Sequence, residues 1–484
     1  MSKYTTKAWA VILILVTSLS TGVIAQNTSS SSTETSISAS NRKVHRWSHS
    51  SGTTDFNVEM RGEVELTDDD RDIKSISEDG YLRISKTVFG SRRSLVIESL
   101  GDGRIKKEYY EGRTKMPWDP NGKAWLSEIL PEVVRTSTIG AESRVKRFFR
   151  KGGAPAVLDE IDRIDSDHVK EHYANLLMKE NVQPKDYAVI IREVVGDMDS
   201  DHYITNFLKT NAPKFLRQKD ATSAMFAAAS DMESDHYKTI VITEALKGAD
   251  QSTENLRQAL DAAADMDSDH YISLVLSDLL KQDNLTDMTL TELVTTTKAI
   301  ESDHYRSLIL KEALQKPNLS PSAHQQLLES VKEMSSDHYI TDVIVNLMVI
   351  KLSDETMNDL LEILPAVESD HYRTEIFTRL LKNQKLTDGQ LGKVLEACGN
   401  MDSDHYKTIV LKDALSRSSS NGTLIEVLNA VAGIDSDHYA AEVLLSAAPK
   451  VKNGSDEARN AYRAAARGIS SDHDYGRALK AIEQ

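Results

Sequence analysis

The sequence has a single cysteine, Cys398, among 484 residues. One thiol forms no internal disulfide, so the fold depends on packing and hydrogen bonds in whichever compartment it occupies. Nothing around Cys398 marks it as a nucleophile, and we expect a small buried residue there. Aromatic residues are scarce at 6%, whereas hydrophobic residues at 40% and charged residues at 27% are typical of a soluble folded protein.

An excess of basic residues is also missing. The net charge is −16, and nucleic-acid-binding proteins normally carry a basic face, so we expect no nucleic-acid partner. The charge is unevenly spread, because residues 1–152 carry a net +5 and residues 153–484 a net −21. The acidic part predicts a protein partner with a basic patch. We expect the locally basic stretch from Arg144 to Lys151 to be a solvated helix face.

Long apolar segments are missing after the first residues. Lys3 and Lys7 precede a short apolar run from Ala8 to Val16, and small residues lead to Ala25. This pattern predicts a signal peptide over residues 1–25 and an exported protein, periplasmic or extracellular, with no stable membrane insertion after cleavage. The alternative is an uncleaved signal that anchors the chain. Residues 26–54 begin with a Ser/Thr-rich run and are predicted to be a flexible linker.

Enzyme signatures are missing too. The chain has no His-Glu-x-x-His, no phosphate-binding glycine loop and no Gly-x-Ser-x-Gly. We therefore predict no catalytic residue, no cofactor and no metal site.

Alternating polar and apolar residues with Asp-Gly turns predict an antiparallel β module over residues 55–115, a meander of five or six strands. One face carries six apolar residues that we expect to be buried: Val64, Leu66, Leu82, Ile84, Leu95 and Ile97. Residues 116–152 are predicted to be connecting helices. The segment from Lys123 to Ser137 has helical apolar spacing and is expected to cover the sheet, with Pro131 kinking or dividing the helix.

A Ser-Asp-His motif recurs ten times, which is the dominant signal in the sequence. Successive motif aspartates are 33 to 35 residues apart, at Asp167, Asp201, Asp235, Asp269, Asp303, Asp337, Asp370, Asp404, Asp437 and Asp472. A fixed period of this size indicates a repeat architecture. The first and last copies deviate, with Val169 in place of the usual Tyr and Asp474 inserted before Tyr475, as terminal repeats of an array do.

Each repeat contains two helices. The motif is predicted to start the second helix, where the hydroxyl of a serine such as Ser234 caps the first turn and Asp235 meets the positive end of the helix dipole. Tyr237, Ile240, Val241 and Ala245 are expected to form the buried stripe of that helix. The first helix is predicted to be capped by Ser353 and its equivalents Thr286, Ser320 and Thr387.

The predicted fold is therefore α+β and mainly α. An N-terminal antiparallel β module is followed, over residues 153–484, by a right-handed α-solenoid of ten helical pairs of the HEAT-like kind, each about 34 residues long.

The motif residues are the candidate binding edge of this array. Three interpretations of its histidines stay open: an inter-repeat ladder in which each imidazole bonds to a carboxylate or carbonyl of the next repeat, a row of metal ligands, and a pH sensor. The candidate residues are Ser200, Asp201, His202, Tyr203, Asp235, His236, Tyr237, Asp269, His270, Tyr271, Asp303, His304, Tyr305, Asp337, His338, Tyr339, Asp370, His371, Tyr372, Asp404, His405, Tyr406, Asp437, His438 and Tyr439.

Two stretches, "RGEVELTDDDRDIKSISEDGYLRIS" and "KAWLSEILPEVVRTSTIGAESRVKRFFRKGGAPAVLDEIDRIDSDHVKEHY", carry a resemblance. They resemble the extracytoplasmic region of BlaR/MecR-like (M56-type) bacterial sensor peptidases, and uncharacterised exported proteins with similar helical tails. The resemblance implies an exported bacterial protein in envelope sensing or assembly. The metal-binding motif of the peptidase part is not in this sequence, so the resemblance supplies no catalytic residue.

The sequence as a whole predicts a non-enzymatic scaffold or sensor-like protein that binds a protein partner through its repeat array. The alternative is a hydrolase or metal-dependent enzyme with a site where the β module joins the solenoid. The capping interpretation also predicts that Ser268→Ala lowers the free energy of unfolding by about 1 kcal/mol.

Overall fold

The computed structural model describes residues 44–248, 252–283, 285–317, 319–417 and 420–483. The predicted signal peptide and residues 26–43 of the predicted linker lie outside the described residues. The chain forms two compact units, one of residues up to Arg150 with Arg163–Val169, and one of Lys151–Asp162 with Lys170 onwards.

The first unit contains the predicted antiparallel β module. Six strands form one sheet in the order β1-β2-β5-β6-β7-β8, and β3 pairs with β4 in a separate hairpin. The strands are β1 Val44–Ser51, β2 Thr54–Arg61, β3 Val64–Leu66, β4 Ile73–Ile76, β5 Tyr81–Val88, β6 Ser91–Gly101, β7 Arg104–Glu111 and β8 Thr114–Met116.

The predicted linker over residues 26–54 is wrong at its C-terminal end, because β1 lies within it. All eight residues of β1 pair with β2, from Val44 opposite Arg61 to Ser51 opposite Thr54. Trp47 of β1 is buried with Phe56 and Val58 of β2. These backbone pairs and the buried indole fix a segment whose other side chains are mostly polar.

The six apolar side chains predicted to be buried are all in the core of this unit. Helix α1, Lys123–Thr136, follows a short helical turn at Trp118–Gly122 and adds its own apolar face to the same core. The residues it contributes are Trp125, Leu126, Ile129, Leu130, Val133 and Val134. Pro131 does not divide α1. Proline removes only one N–H donor, and the buried residues on both sides of it hold the helix against the sheet.

The basic stretch after α1 is only in part the solvated face that was predicted, since Lys146, Arg150 and Lys151 are exposed but two arginines are buried. Helix α2, Ala141–Ile161, is broken by non-helical backbone at Gly152 and Gly153, and its first part carries the arginines. Arg144 is 2% exposed, and its Nε lies 3.0 Å from Asp70 Oδ2. Arg147 donates to Asp70 Oδ1 at 2.6 Å and to the carbonyl of Thr67 at 3.1 Å. One carboxylate thus pairs with two buried cations, and this pairing offsets part of the cost of burying them.

The second unit is the predicted helical repeat array. The motif helices are α3 Asp167–Leu177, α5 Asp201–Phe215, α7 Asp235–Ala245, α9 Asp269–Leu280, α11 Asp303–Leu314, α13 Asp337–Leu347, α15 Asp370–Asn383, α17 Asp404–Arg417, α19 Asp437–Lys452 and α21 Asp472–Glu483. The first helices of the pairs, after α2, are α4 Tyr187–Gly196, α6 Lys219–Asp231, α8 Thr253–Ala264, α10 Asp287–Thr296, α12 Pro321–Lys332, α14 Asp354–Ile363, α16 Asp388–Gly399, α18 Asn421–Ala430 and α20 Asp456–Ala466.

The helices stack in two layers. From α5 onwards each motif helix packs on the next motif helix, and from α4 onwards each first helix packs on the next first helix. Short 3-10 turns at Pro184–Asp186, Thr297–Ala299, Leu364–Ala366 and Val431–Gly433 adjoin some first helices. A single pair cannot bury its apolar stripe, whereas stacked pairs share one continuous core.

The predicted caps of the first helices are confirmed. The hydroxyls of Thr286, Ser320 and Ser353 each accept a hydrogen bond from the backbone N–H three residues on. Thr387 forms the full reciprocal capping box with Gln390. These hydroxyls satisfy N–H groups that a helix start otherwise leaves without partners.

The buried stripe of the motif helices differs from the prediction at two of its four positions. In α7, Val241 and Ala245 are buried, but Tyr237 and Ile240 are only half-buried. The helix is rotated so that Lys238, Thr239 and Ile242 face the core as well.

No helix in the described part of the chain is long and apolar enough to cross a membrane.

The buried ion pairs predict a large effect of removing Asp70. We expect Asp70→Asn to lower the free energy of unfolding by about 3 kcal/mol, because it removes the carboxylate that pairs with both buried arginines, Arg144 and Arg147. Urea unfolding followed by tryptophan fluorescence measures this, since Trp47 and Trp125 are in the same core. Asp68→Asn, at an exposed position of the same loop, is the control and should change the value by under about 0.5 kcal/mol. Equal effects of the two changes would refute the structural role of Asp70.

Candidate functional site

The motif starts a helix in every repeat, as predicted, but in seven repeats its serine does not cap the helix with its hydroxyl, whereas Ser471 of the last repeat accepts the N–H of Asp474 at 3.3 Å. The motif aspartate is the first residue of all ten motif helices. The serine before it has the extended backbone of an N-cap residue, for example φ −98° and ψ 113° at Ser268. No side-chain capping bond forms at Ser200, Ser234, Ser268, Ser302, Ser336, Ser369 or Ser436. The predicted hydroxyl cap is therefore wrong for these seven serines.

The motif aspartate bonds to the next repeat. The Oδ2 atom of Asp269 accepts the backbone N–H of Ser302 at 2.7 Å, and its Oδ1 atom accepts that of Glu301 at 2.9 Å. The same serine bond, at 2.7 to 2.8 Å, recurs in eight successive interfaces: Asp201–Ser234, Asp235–Ser268, Asp269–Ser302, Asp303–Ser336, Asp337–Ser369, Asp370–Ser403, Asp404–Ser436 and Asp437–Ser471. In the last seven the residue before the serine also donates its N–H to that carboxylate.

These bonds satisfy the N–H groups of the serine and of the residue before it, which lie ahead of the first-turn N–H groups that a hydroxyl cap accepts. A helix start presents N–H groups to solvent and carries partial positive charge. The carboxylate of the preceding repeat places a negative charge beside this helix start, and its charge-assisted bonds are stronger than bonds between neutral groups. The inter-repeat ladder predicted from sequence is therefore present, but aspartate forms it where histidine was expected to.

The histidines form a second row beside the aspartates. We define the histidine row as His202, His236, His270, His304, His338, His371, His405 and His438, all of which are exposed. Each ring packs against the tyrosine of its own repeat, with centroids 5.0 to 5.3 Å apart. The first seven also pack against the tyrosine of the next repeat, at 5.6 to 6.0 Å. The result is a continuous alternation of imidazole and phenol rings.

Contacts in this row are aromatic first and polar second. The ring planes are tilted or edge-on, which suits the quadrupoles of aromatic rings. The hydroxyl of Tyr237 lies 3.3 Å from His202 Nδ1, and that of Tyr271 lies 3.4 Å from His236 Nδ1. Each tyrosine of the row is half-buried, so one edge of its ring packs inward while the other supports a histidine.

Exposed carboxylates border the histidine row. Two residues before the motif aspartate, the chain places an exposed acid in seven of the repeats from the second to the ninth, and we call this the carboxylate row: Asp199, Glu233, Asp267, Glu301, Glu368, Asp402 and Asp435. The sixth repeat has Ser335 at this position. The motif edge therefore presents negative charge and imidazole side by side over most of the array.

Grooves lie between neighbouring motif helices. One of about 730 Å³ is formed by α15, α17 and α19, where His405, Ile409, His438 and Glu442 are among its lining residues. Another of about 600 Å³ lies around His338 and Tyr372. The histidine row thus borders concave surface on which another molecule can pack.

Sequence reasoning missed a second link between repeats. In five repeats a cation follows the motif tyrosine position, and in four of them it bonds to the C-terminal end of the first helix in the next repeat. Arg306 donates to the carbonyl of Ser330 at 3.2 Å, and Lys407 donates to that of Gly433 at 2.8 Å. Lys170 and Arg373 bond to Asp197 and Asn400 in the same way. The sequence signal for this link was a Lys or Arg at this position in the first, third, fifth, seventh and eighth repeats. The second, fourth, sixth and ninth repeats have Ile204, Ile272, Ile340 and Ala440 there.

Two chemical possibilities can be compared with the geometry. Among the described residues, no three His, Cys, Asp or Glu side chains come together as a metal site. Cys398 is buried, as expected, and burial raises the pKa of its thiol to about 12. A thiol with so high a pKa is not a nucleophile at neutral pH.

Comparisons with known proteins do not identify a family. No family model and no curated protein matches the chain. Among solved structures, one similar chain comes from the computational design of self-assembling cyclic protein homo-oligomers. The two chains are 10% identical, and the alignment covers 66% of this chain and 98% of the designed one. The TM-score is 0.12, which supports no argument. The resemblance to sensor peptidases stays a prediction.

The inter-repeat bonds change what is expected of the motif residues. We now expect Ser268→Ala to change the free energy of unfolding by under about 0.5 kcal/mol, because its hydroxyl makes no cap bond. Asp269→Ala should lower it by about 2 kcal/mol, because two N–H groups of the next repeat lose a charged acceptor. Urea unfolding followed by far-ultraviolet circular dichroism compares the two variants. A larger loss for Ser268→Ala than for Asp269→Ala would restore the hydroxyl-cap interpretation.

Proposed function

We propose that this protein is a non-enzymatic scaffold that binds a protein partner along the motif edge of its helical array. The observation that carries the proposal is the division of roles within the motif. The aspartate is used to join the repeats, whereas the histidine beside it stays exposed in eight successive repeats. A side chain that packs on tyrosines but stays exposed at every step is available to a partner along the whole row.

The charge of the edge indicates the kind of partner. The carboxylate row adjoins the histidine row, and residues 153–484 carry a net −21. A partner with a basic segment gains favourable electrostatics and faster association at such a surface. Half-buried tyrosines beside the row add amphipathic contact area of the type enriched at protein interfaces.

The signal peptide predicted over residues 1–25 supports an exported location for this scaffold. Outside the cytoplasm, a chain with one buried cysteine depends on packing alone, which the shared core of stacked repeats provides. We therefore propose a role in the cell envelope or outside the cell.

A pull-down with charge-reversed variants tests the proposal. The full chain is used as bait on an envelope extract of the source organism, with crosslinking and mass spectrometry of the retained proteins. One variant reverses three members of the carboxylate row, Asp267→Lys, Glu301→Lys and Glu368→Lys. We expect it to lose a partner that the unchanged chain retains, because a basic segment is then repelled, and we expect retention to weaken as salt increases.

The matched control reverses three exposed acids on first helices, with Asp261→Lys, Glu362→Lys and Glu396→Lys. It has the same net charge as the first variant and should keep the partner. Equal retention by both variants would show that binding does not use the motif edge. No retained partner at any salt concentration would argue against the scaffold itself.

A further inference from the structure

The motif helices of the third, fourth and fifth repeats share a surface feature that differs from the rest of the array. One helical turn after the histidine, α7, α9 and α11 carry Ile240, Leu274 and Leu308, which we call the apolar stripe. Leu274 is 41% exposed and Leu308 is 39% exposed, and Ile240 is half-buried. Residues four apart lie on the same helix face, so the stripe runs directly beside the histidine row.

The stripe is continuous because its three helices are neighbours. Helix α7 packs on α9, and α9 packs on α11. In the sixth, seventh and ninth repeats, acids occupy the same position, as Asp342, Glu375 and Glu442. Ile409 of the eighth repeat stands between two of these acids. An apolar surface that spans three adjacent helices is therefore confined to this part of the described array.

Carboxylates lie on both sides of the stripe. Glu233, Asp267 and Glu301 of the carboxylate row precede the three helices. One turn beyond the stripe, the same helices carry a second acidic set, which is Glu244, Asp278 and Glu312. The surface therefore reads, along each helix, as acid, imidazole, aliphatic, acid.

Lysines of the chain itself pair with two of these acids, but only weakly. Glu244 pairs with Lys247 at 2.7 Å and Asp278 pairs with Lys281 at 2.7 Å, and both lysines are more than 60% exposed. The carboxylates are 20% and 27% exposed, and because their lysine partners are solvated, the cations of a basic partner can compete with these lysines. Lys311 is a cation close to the stripe, and it pairs with Asp342 of the next repeat.

From this pattern we infer that α7, α9 and α11 form the docking surface for an amphipathic basic helix of the partner. The apolar face of such a helix covers Ile240, Leu274 and Leu308, and its flanking lysines or arginines meet the two acidic sets. Helices pack 8–10 Å apart, so the stripe spans roughly 20 Å, which corresponds to about 13 helical residues. This inference rests on the proposed scaffold function and names the part of the partner that it holds.

A labelled peptide tests the docking surface directly. The probe is a fluorescein-labelled Leu/Lys peptide of about 18 residues, with leucines on one helix face and lysines on the other. Fluorescence anisotropy is measured with the full chain. We expect binding that weakens with salt, and no binding of a peptide of the same composition whose order places leucines on all faces, or of a Leu/Glu peptide with the same pattern.

Two variants locate the binding. Leu274→Ser with Leu308→Ser should weaken binding of the Leu/Lys peptide at least about tenfold, because both apolar anchors are removed. Ile409→Ser is the matched control, since Ile409 holds the same repeat position and is 37% exposed. It should leave binding unchanged within about twofold. Circular dichroism of all variants confirms that the array is folded.

The outcomes separate this inference from the proposed function. If the Leu/Lys peptide does not bind, or binds the double variant and the Ile409 variant equally well, the docking surface is wrong. If a partner is nevertheless retained in the pull-down and its retention depends on the carboxylate row, the proposed scaffold function is supported without this docking surface. If both experiments fail, the proposed scaffold function is wrong as well.

Discussion

The array depends on a hydrogen bond between a carboxylate at the start of one motif helix and the backbone N–H groups at the start of the next. Each N–H group would otherwise face solvent at a positively polarised helix end. The bond is short, charge-assisted and repeated with nearly the same geometry from Asp201 to Asp437. Because the acceptor and donors belong to consecutive repeats, the bond fixes their register as well as their distance. This constraint explains why aspartate occupies the same position in every copy.

The remaining motif residues are then available for other roles. Tyrosine fills the space between neighbouring helix starts, and histidine lies on top of two tyrosines at the surface. The Lys or Arg at the next position joins the C-terminal end of a first helix in some repeats, and isoleucine packs there in others. The helix ends of both layers are thus tied by charge: carboxylates at the amino ends and cations at several carboxyl ends. What stays exposed is imidazole, the carboxylate row and a local set of aliphatic residues.

The sequence was sufficient to predict the repeat architecture but not the contacts between side chains of different repeats. The regular spacing of Ser-Asp-His predicted the repeats and the start of every motif helix, because the period is a property of the chain itself. Ser353 and Thr387 were predicted correctly as caps because capping is local. Ser268 was not, because the extended backbone of an N-cap residue does not by itself bring the hydroxyl to a first-turn N–H, and the acid that bonds at this helix start belongs to another repeat. Strand β1 and the burial of Arg144 were missed for the same reason, since Trp47 and Asp70 act through distant partners.

The bond between repeats has a direction. From the second repeat to the ninth, each repeat offers a carboxylate to the repeat after it, so this bond is heterologous and recurs in the same form at each step. Any of these repeats can therefore form this bond with any other, and a stretch of one period can be duplicated or lost without breaking it. Recombination within a gene can therefore change the length of the chain by whole repeats. The length of the exposed row, and with it the number of contacts offered to a partner, changes in the same steps.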